Sequence, residues 1–124
     1  MGDSTKEKIE IIIEALEAKK AENISCIDVH GKSTITDAFI ICNGSGELQN
    51  RAIAEHVIEV AKSNKYIIMG KEGMENGKWV LIDLGDVIVH IFNSASRNFY
   101  KIEELWTKNL NKQGIEQNEN QENN

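Results

Sequence analysis

No apolar run in this chain approaches the ~20 residues that a helix needs to cross a bilayer, so a membrane-spanning segment is not expected. The start, M-G-D-S-T-K-E-K, is polar and lacks the apolar stretch of a secretory signal. Gly2 follows Met1, but N-myristoylation wants Ser or Thr at the sixth position, where this chain has Lys6. Cytoplasmic residence without membrane attachment is the expectation. Cysteine is scarce. Only Cys26 and Cys42 occur, each in an apolar, strand-like segment. Two buried, reduced thiols are expected of a cytosolic chain. Pairing of their strands could bring them close, but no base stands beside either, which argues against nucleophilic work. No internal repeat is visible.

Catalytic signatures are missing too. His30, His56 and His90 show no metal-ligand spacing such as H-E-x-x-H. His90 alternates with Ile88 and Phe92, and a lone strand histidine is more often hydrogen-bonded structure than a ligand; beside Asp86 it could also serve as an interface donor. His56 reads as a surface or boundary residue. A carboxylate cluster for a divalent ion would have to be assembled from Asp28, Asp37, Asp83 and Asp86. Gly44-Ser45 lies between a strand and a helix, where backbone amides can hold phosphate. Nucleotidyltransferases follow such a pair with an Asp-x-Asp, and none exists in this sequence. The simpler reading is that Gly44 frees the backbone and Ser45 or the next residues cap the helix. No catalytic residue, metal site or cofactor is assigned, and the chain is not expected to be an enzyme.

What is present fits one domain in 124 residues, with 40% hydrophobic residues for a single modest core. The formal net charge is -6 and the pI about 5.1. A grip on a nucleic-acid backbone needs Lys and Arg to displace counterions, so little direct nucleic-acid contact is expected. An acidic surface suits a basic protein partner, because complementary charge raises the encounter rate.

Hydrophobic periodicity predicts a helix from Ser4 to about Asn23. Ile9, Ile12, Ile13 and Leu16 form its apolar face, Ser4 and Glu7 have capping-box spacing, and Lys19 and Lys20 suit its C-terminal end. Ile24 to Val29 reads as a strand, His30-Gly31-Lys32 as a turn, and Ser33 to Asn43 as a second, antiparallel strand. Its run Ala38-Phe39-Ile40-Ile41-Cys42 lacks alternation, which suggests burial on both faces. Gly44-Ser45-Gly46 ends it. A second helix follows from Glu47 to Asn64, with Ile53, Val57, Val60 and Ala61 as its buried stripe. Tyr66 to Met69 is a third strand, expected to run parallel to the second through a right-handed crossover. Gly70 to Gly77 is a glycine-rich loop with Met74 exposed. Strands from Lys78 to Asp83 and from Asp86 to Phe92 meet across a tight Leu84-Gly85 turn. A third helix begins near Ser94 or Ser96. The order is α-β-β-α-β-β-β-α, a mixed five-stranded sheet flanked by helices, α+β within the wider α/β class. Residues 1–108 make the domain. Residues 109–124, rich in Asn, Gln and Glu, cannot bury enough surface to offset ordering and form a disordered tail.

The stretch from Trp79 to Trp106 is the densest in aromatic and charged groups. On the fourth strand Trp79, Leu81 and Asp83 share one face, and Val80 and Ile82 the other. On the fifth, Val87, Val89 and Ile91 oppose Ile88, His90 and Phe92. Both faces carry large apolar groups, so one meets the core and the other is covered by a helix or open to a partner. Trp79, Arg97 and Tyr100 are of the types that dominate interface energetics. Structural packing of the same aromatics explains the pattern equally well.

The segments D-V-H-G-K-S-T-I-T-D-A-F-I-I-C-N-G (from Asp28 to Gly44), W-V-L-I-D-L-G-D-V-I-V-H-I-F and S-R-N-F-Y-K-I-E-E-L-W are long and collinear. In them the chain resembles the Iojap-like ribosomal silencing factor family, over about Ile9 to Trp106. The resemblance implies a mixed sheet with helices, distantly nucleotidyltransferase-like but without the catalytic carboxylates. It implies binding to the large ribosomal subunit through a basic ribosomal protein, number fourteen of that subunit, and steric exclusion of the small subunit, which lowers translation in nutrient-poor conditions. It also implies that the free chain can form a homodimer. Surface chemistry and the family pattern point to Trp79 and Leu81 as apolar contacts, Asp83 and Asp86 as partners for Lys or Arg, and His90, Arg97, Tyr100 and Glu72 around them. Asp86 could equally hold the hairpin turn together. Two alternatives are a large-subunit assembly factor using the same surface, and a metal-dependent nucleotidyltransferase-like enzyme with an ion at Asp83 and Asp86.

Overall fold

The computed structural model describes residues 2–93. It contains α1 (Asp3–Ala18), β1 (Glu22–Asp28), β2 (Ala38–Gly44), α2 (Glu47–Ser63), β3 (Gly70–Glu72), β4 (Trp79–Asp83) and β5 (Val87–Asn93). The expected third helix, with Arg97 and Tyr100, and the Asn-rich tail lie outside the described residues. No helix among the described residues is long and apolar enough to cross a membrane.

The two helices form where their apolar stripes demand. Thr5, Ile9, Ile12, Ala15 and Leu16 are the buried positions of α1, a spacing that keeps them on one face. Its start differs from expectation. The extended residue before the first turn is Gly2, no side chain caps the helix, and the Lys6 amide closes onto the Gly2 carbonyl at 3.1 Å. Ser4 already lies inside the helix, so the Ser4–Glu7 capping box does not form. The other end also comes earlier, at Ala18. Lys20 takes a φ of 62°; its amide bonds the Glu17 carbonyl at 2.9 Å and the Ala21 amide bonds the Leu16 carbonyl at 3.0 Å. These reverse bonds are a Schellman closure. α2 ends the same way. Lys65 has a φ of 63°, and Lys65 and Tyr66 return to Lys62 and Ala61 at 3.0 and 2.9 Å.

The sheet has the order β1-β2-β5-β4-β3. β1 pairs antiparallel with β2, β2 parallel with β5, and β5–β4 and β4–β3 antiparallel. The expected β1–β2 pairing holds, but the connection is longer than a turn. It runs from Val29 to Asp37 because local polar groups compete with the ladder. The Asp28 carboxylate accepts the His30 amide and the Ser33 hydroxyl accepts the Ile35 amide. β3 runs in the same direction as β2, as a crossover requires, yet the two are separated by β5 and β4. The chain leaves β2 through α2, reaches the far edge, and returns by two antiparallel steps. The third strand is also shifted. Tyr66 and Ile68 pack half-buried against the core, while the ladder itself is made by Gly70, Lys71 and Glu72.

Both helices lie on one face of the sheet. Ile12, Leu16, Ile53, Val57 and Ala61 meet Ile40, Cys42, Val80, Ile82, Val89 and Ile91 in the main core. Fully burying each large apolar side chain contributes roughly 1.5–3 kcal/mol. Met74, expected at the surface, packs half-buried against this core. On the opposite face Val29, Phe39, Ile41, Ile88 and Phe92 form a second buried cluster, with Ile27 and Leu81 against it. Burial of every residue of β2 bears out the reading of its unbroken apolar run. Cys42 is buried and free, but Cys26, expected to be buried as well, is exposed on edge strand β1. Partial desolvation by its neighbours and the nearby Asp28 carboxylate both raise its thiol pKa.

Candidate functional site

Register places the candidate residues. Glu72 pairs with Leu81, Leu81 with His90, and His90 with Ile41. Side chains of paired residues share a face, so this row crosses four strands on the face away from the helices. Trp79 pairs with Phe92 one row along, and Asp83 with Ile88 one row the other way. Glu72, Trp79, Leu81, Asp83 and His90 therefore stand on one face; alternation implied this for Trp79, Leu81 and Asp83 within β4, while Glu72, expected in a loop, joins them through β3.

Trp79 is 38% exposed, while the rings beneath it on this face, Phe39, Phe92 and His90, are buried. Its indole stacks on the Phe92 ring with centroids 5.2 Å apart and planes 15° from parallel. The indole N–H donates to Nδ1 of His90 at 3.0 Å. An indole nitrogen can only donate, so His90 is neutral there and carries its proton on Nε2. That nitrogen is buried and has no hydrogen-bond partner among the described residues. The His90 ring also lies 5.6 Å from the Phe39 ring. Burial disfavours the imidazolium and lowers the His90 pKa from 6.5 to about 4. This bond gives His90 the hydrogen-bonded place expected of a lone strand histidine, with Trp79 rather than Asp86 beside it.

The two carboxylates of the hairpin differ. Asp83 is half-buried on the Trp79 face, and one oxygen accepts the Gly85 amide at 2.8 Å, which closes the turn. Asp86 turns to α1 instead. Thr5 and Lys8 each donate to its carboxylate at 2.7 Å. Its backbone carbonyl accepts the amides of Asp37 and Ala38 at 3.0 and 3.1 Å. Burial raises the carboxyl pKa, but the Lys8 and Thr5 bonds and the Lys8 charge outweigh it and lower the pKa overall. Lys8 also sits 4.9 Å from the centre of the Tyr66 ring. Asp86 thus ties the hairpin to α1 and to the start of β2, whereas the turn itself is held by Asp83. Thr5 and Lys8 were not singled out in the sequence. The stripe Thr5, Ile9, Ile12, Leu16 was the available signal, since a hydroxyl that continues a buried stripe needs a partner. Glu72 is exposed at the edge strand. Arg97 and Tyr100 lie outside the described residues.

The features that suggested enzyme chemistry serve the fold. Among the described residues, no group of three or more His, Cys, Asp or Glu is placed to hold a metal ion. The Asp37 carboxylate faces His30 at 3.2 Å, whereas the Asp86 carboxylate is bonded to Thr5 and Lys8 and that of Asp83 to the Gly85 amide. His56 is a boundary residue on α2, 3.4 Å from Glu59. Gly44 packs on Asn50, whose side chain occupies the place a Cβ would take. Ser45 does not cap α2 with its side chain. The residue before the first turn is Gly46, with no side-chain cap, and the Ser45 amide is held by Gln49 Oε1 at 2.6 Å. Gln49 in turn donates to the Lys19 carbonyl at 3.2 Å, joining the end of α1 to the start of α2. Asn50 donates to the Gly77 carbonyl at 2.8 Å, which fixes the glycine-rich loop on the same helix turn.

A family model described as "Ribosomal silencing factor during starvation" matches residues 2–124. The chain is 42% identical over 103 residues to the ribosomal silencing factor RsfS of Halalkalibacterium halodurans, covering 83% of this chain and 88% of that one. A crystal structure of a Chromobacterium violaceum protein superposes with a TM-score of 0.80 at 37% identity, covering 82% of this chain and 85% of that one. A more distant relative, 26% identical over 104 residues, is the mouse protein named "Mitochondrial assembly of ribosomal large subunit protein 1"; the match covers 80% of this chain and 45% of that one.

Proposed function

The chain belongs to the ribosomal silencing factor family, and from this premise we propose that its sheet face docks on the large ribosomal subunit and keeps the small subunit from joining. The contact is a basic ribosomal protein, number fourteen of the large subunit, and the effect is lower translation when nutrients are short. The action is steric, with no bond made or broken.

The observation that carries the reading is the gathering of Glu72, Trp79, Leu81, Asp83 and His90 on the face opposite both helices. It offers a half-exposed indole on a buried aromatic base, bordered by carboxylates. An aromatic anchor with a polar rim is the usual anatomy of a protein contact. The net charge of -6 favours a basic partner over a nucleic-acid backbone. Asp83 is the better acidic contact of the hairpin, because Asp86 is engaged by Thr5 and Lys8.

Binding of the full chain to purified large subunits and to the isolated basic protein tests the docking. Retention on both supports it. Retention on the subunit alone would move the contact to another component. The mouse relative's name favours a second reading, in which the same face serves assembly of the large subunit. Precursor particles accumulating on depletion during rich growth would select that one.

A further inference from the structure

His90 stands in a place that an aliphatic residue would fill more simply. It pairs with Leu81 and Ile41 across the sheet and lies between the buried Ile88 and Phe92 on the face of β5 away from the helices. Its Nε2 is buried with no partner among the described residues, a liability that leucine or isoleucine would not carry. What the imidazole does there is accept the Trp79 N–H at 3.0 Å. The two residues are diagonal cross-strand neighbours, since Trp79 pairs with Phe92 and Leu81 with His90. Among the described residues, the stack on Phe92 at 5.2 Å holds the indole in plane and the His90 bond holds it in rotation.

We propose that His90 is a positioning residue for docking: it does not meet the partner but holds the Trp79 indole in the orientation that the partner receives. This rests on the reading of the Trp79 face as the docking surface. A side chain ordered before binding loses less freedom on binding. Release of the indole therefore weakens affinity, and a loss of about fivefold to tenfold matches the usual freedom of one large side chain.

The test is a double-mutant cycle on the full chain, read by affinity for purified large subunits and by the Trp79 indole N–H resonance in a Trp106→Phe background. His90→Leu removes the acceptor, Trp79→Phe removes the donor but keeps the stacked ring, and His90→Gln retains an acceptor. His90→Leu and Trp79→Phe are each expected to lose about fivefold to tenfold in affinity, and together no more than either alone. His90→Leu should shift the indole resonance upfield and speed its exchange. His90→Gln should restore both affinity and resonance. Because leucine suits the buried site, His90→Leu should keep or raise stability while binding falls, which a merely structural histidine would not do. Should His90→Leu fail to fold, His90→Gln against Trp79→Phe carries the same comparison. Wild-type affinity in folded His90→Leu, or losses that add fully in the double variant, would overturn the positioning role while a loss of binding by Trp79→Ala leaves the docking face intact. Undiminished binding by Trp79→Ala would remove the docking face itself.

Discussion

Trp79 and His90 form a directional pair: the indole N–H points into an imidazole nitrogen 3.0 Å away, and this fixes the tautomer of a buried histidine. Protonating Nδ1 would break the bond and place a charge among Phe39, Ile88 and Phe92. Folding therefore keeps His90 neutral, with its pKa lowered by burial from 6.5 to about 4. The unfolded chain binds the proton first, so stability is lost as pH falls. The contribution is whole above about pH 6.5, drains away below it and is gone near pH 4. At about 1.4 kcal/mol per pKa unit it amounts to roughly 3 kcal/mol. Urea unfolding at pH 7 and pH 4.5 should show the loss in the wild type and little of it in His90→Leu.

Asp86 predicts a different pH signature. Its carboxylate is held by Thr5 and Lys8, and its pKa is lowered. Asp86→Asn leaves Lys8 without its ion-pair partner, and a loss of roughly 1–3 kcal/mol is expected at neutral pH. The stabilisation is present above the unfolded carboxylate pKa and disappears as pH falls through the lower folded value. The gap in Tm between wild type and variant should close over that range. Affinity for the large subunit should change less than in variants of the Trp79 face.

Gly44 and Asn50 give a packing test. A Cβ at position 44 would overlap the Asn50 side chain, and Asn50 is fully buried and bonded to Gly77. Gly44→Ala should cost about 1–3 kcal/mol, the usual range for overpacking. Trimming the neighbour with Asn50→Ala should recover part of the steric loss. An unchanged denaturation midpoint in Gly44→Ala would mean that this junction has room to spare.

Much of the fold was legible because its signals are local. The stripe Ile9, Ile12, Leu16 and the stripe Ile53, Val57, Ala61 announce the helices, and the run Ala38 to Cys42 announces a strand buried on both faces. Strand alternation put Trp79, Leu81 and Asp83 on one face of β4 and Ile88, His90 and Phe92 on one face of β5, and the register joins the two sets. What was not legible depends on partners distant in sequence. The Asp86 clamp joins residues 78 and 81 positions apart. The Trp79–His90 bond depends on hairpin register, which alternation alone does not fix. The position of β3 at the far edge could not follow from a crossover rule, which sets direction but not how many strands are skipped. Cys26 is exposed because β1 is an edge strand, and edge position is a property of the whole sheet.

Charge steering gives the salt test. An acidic domain meeting a basic partner gains encounter rate from long-range attraction, and salt screens it. Affinity for the large subunit should fall steadily between low and physiological ionic strength, mainly through the on-rate. Binding that is indifferent to salt would assign the contact to Trp79 and Leu81 alone.

The central claim is that this one face excludes the small subunit. The most direct test is a sucrose-gradient joining assay, with the full chain added to large subunits before small subunits. Wild-type protein should travel with the large subunit and suppress joined ribosomes. The folded variant carrying Trp79→Ala and Asp83→Lys should do neither. If that variant, with native circular dichroism, still blocks joining, the docking face lies elsewhere on the molecule and the account given for these residues is wrong.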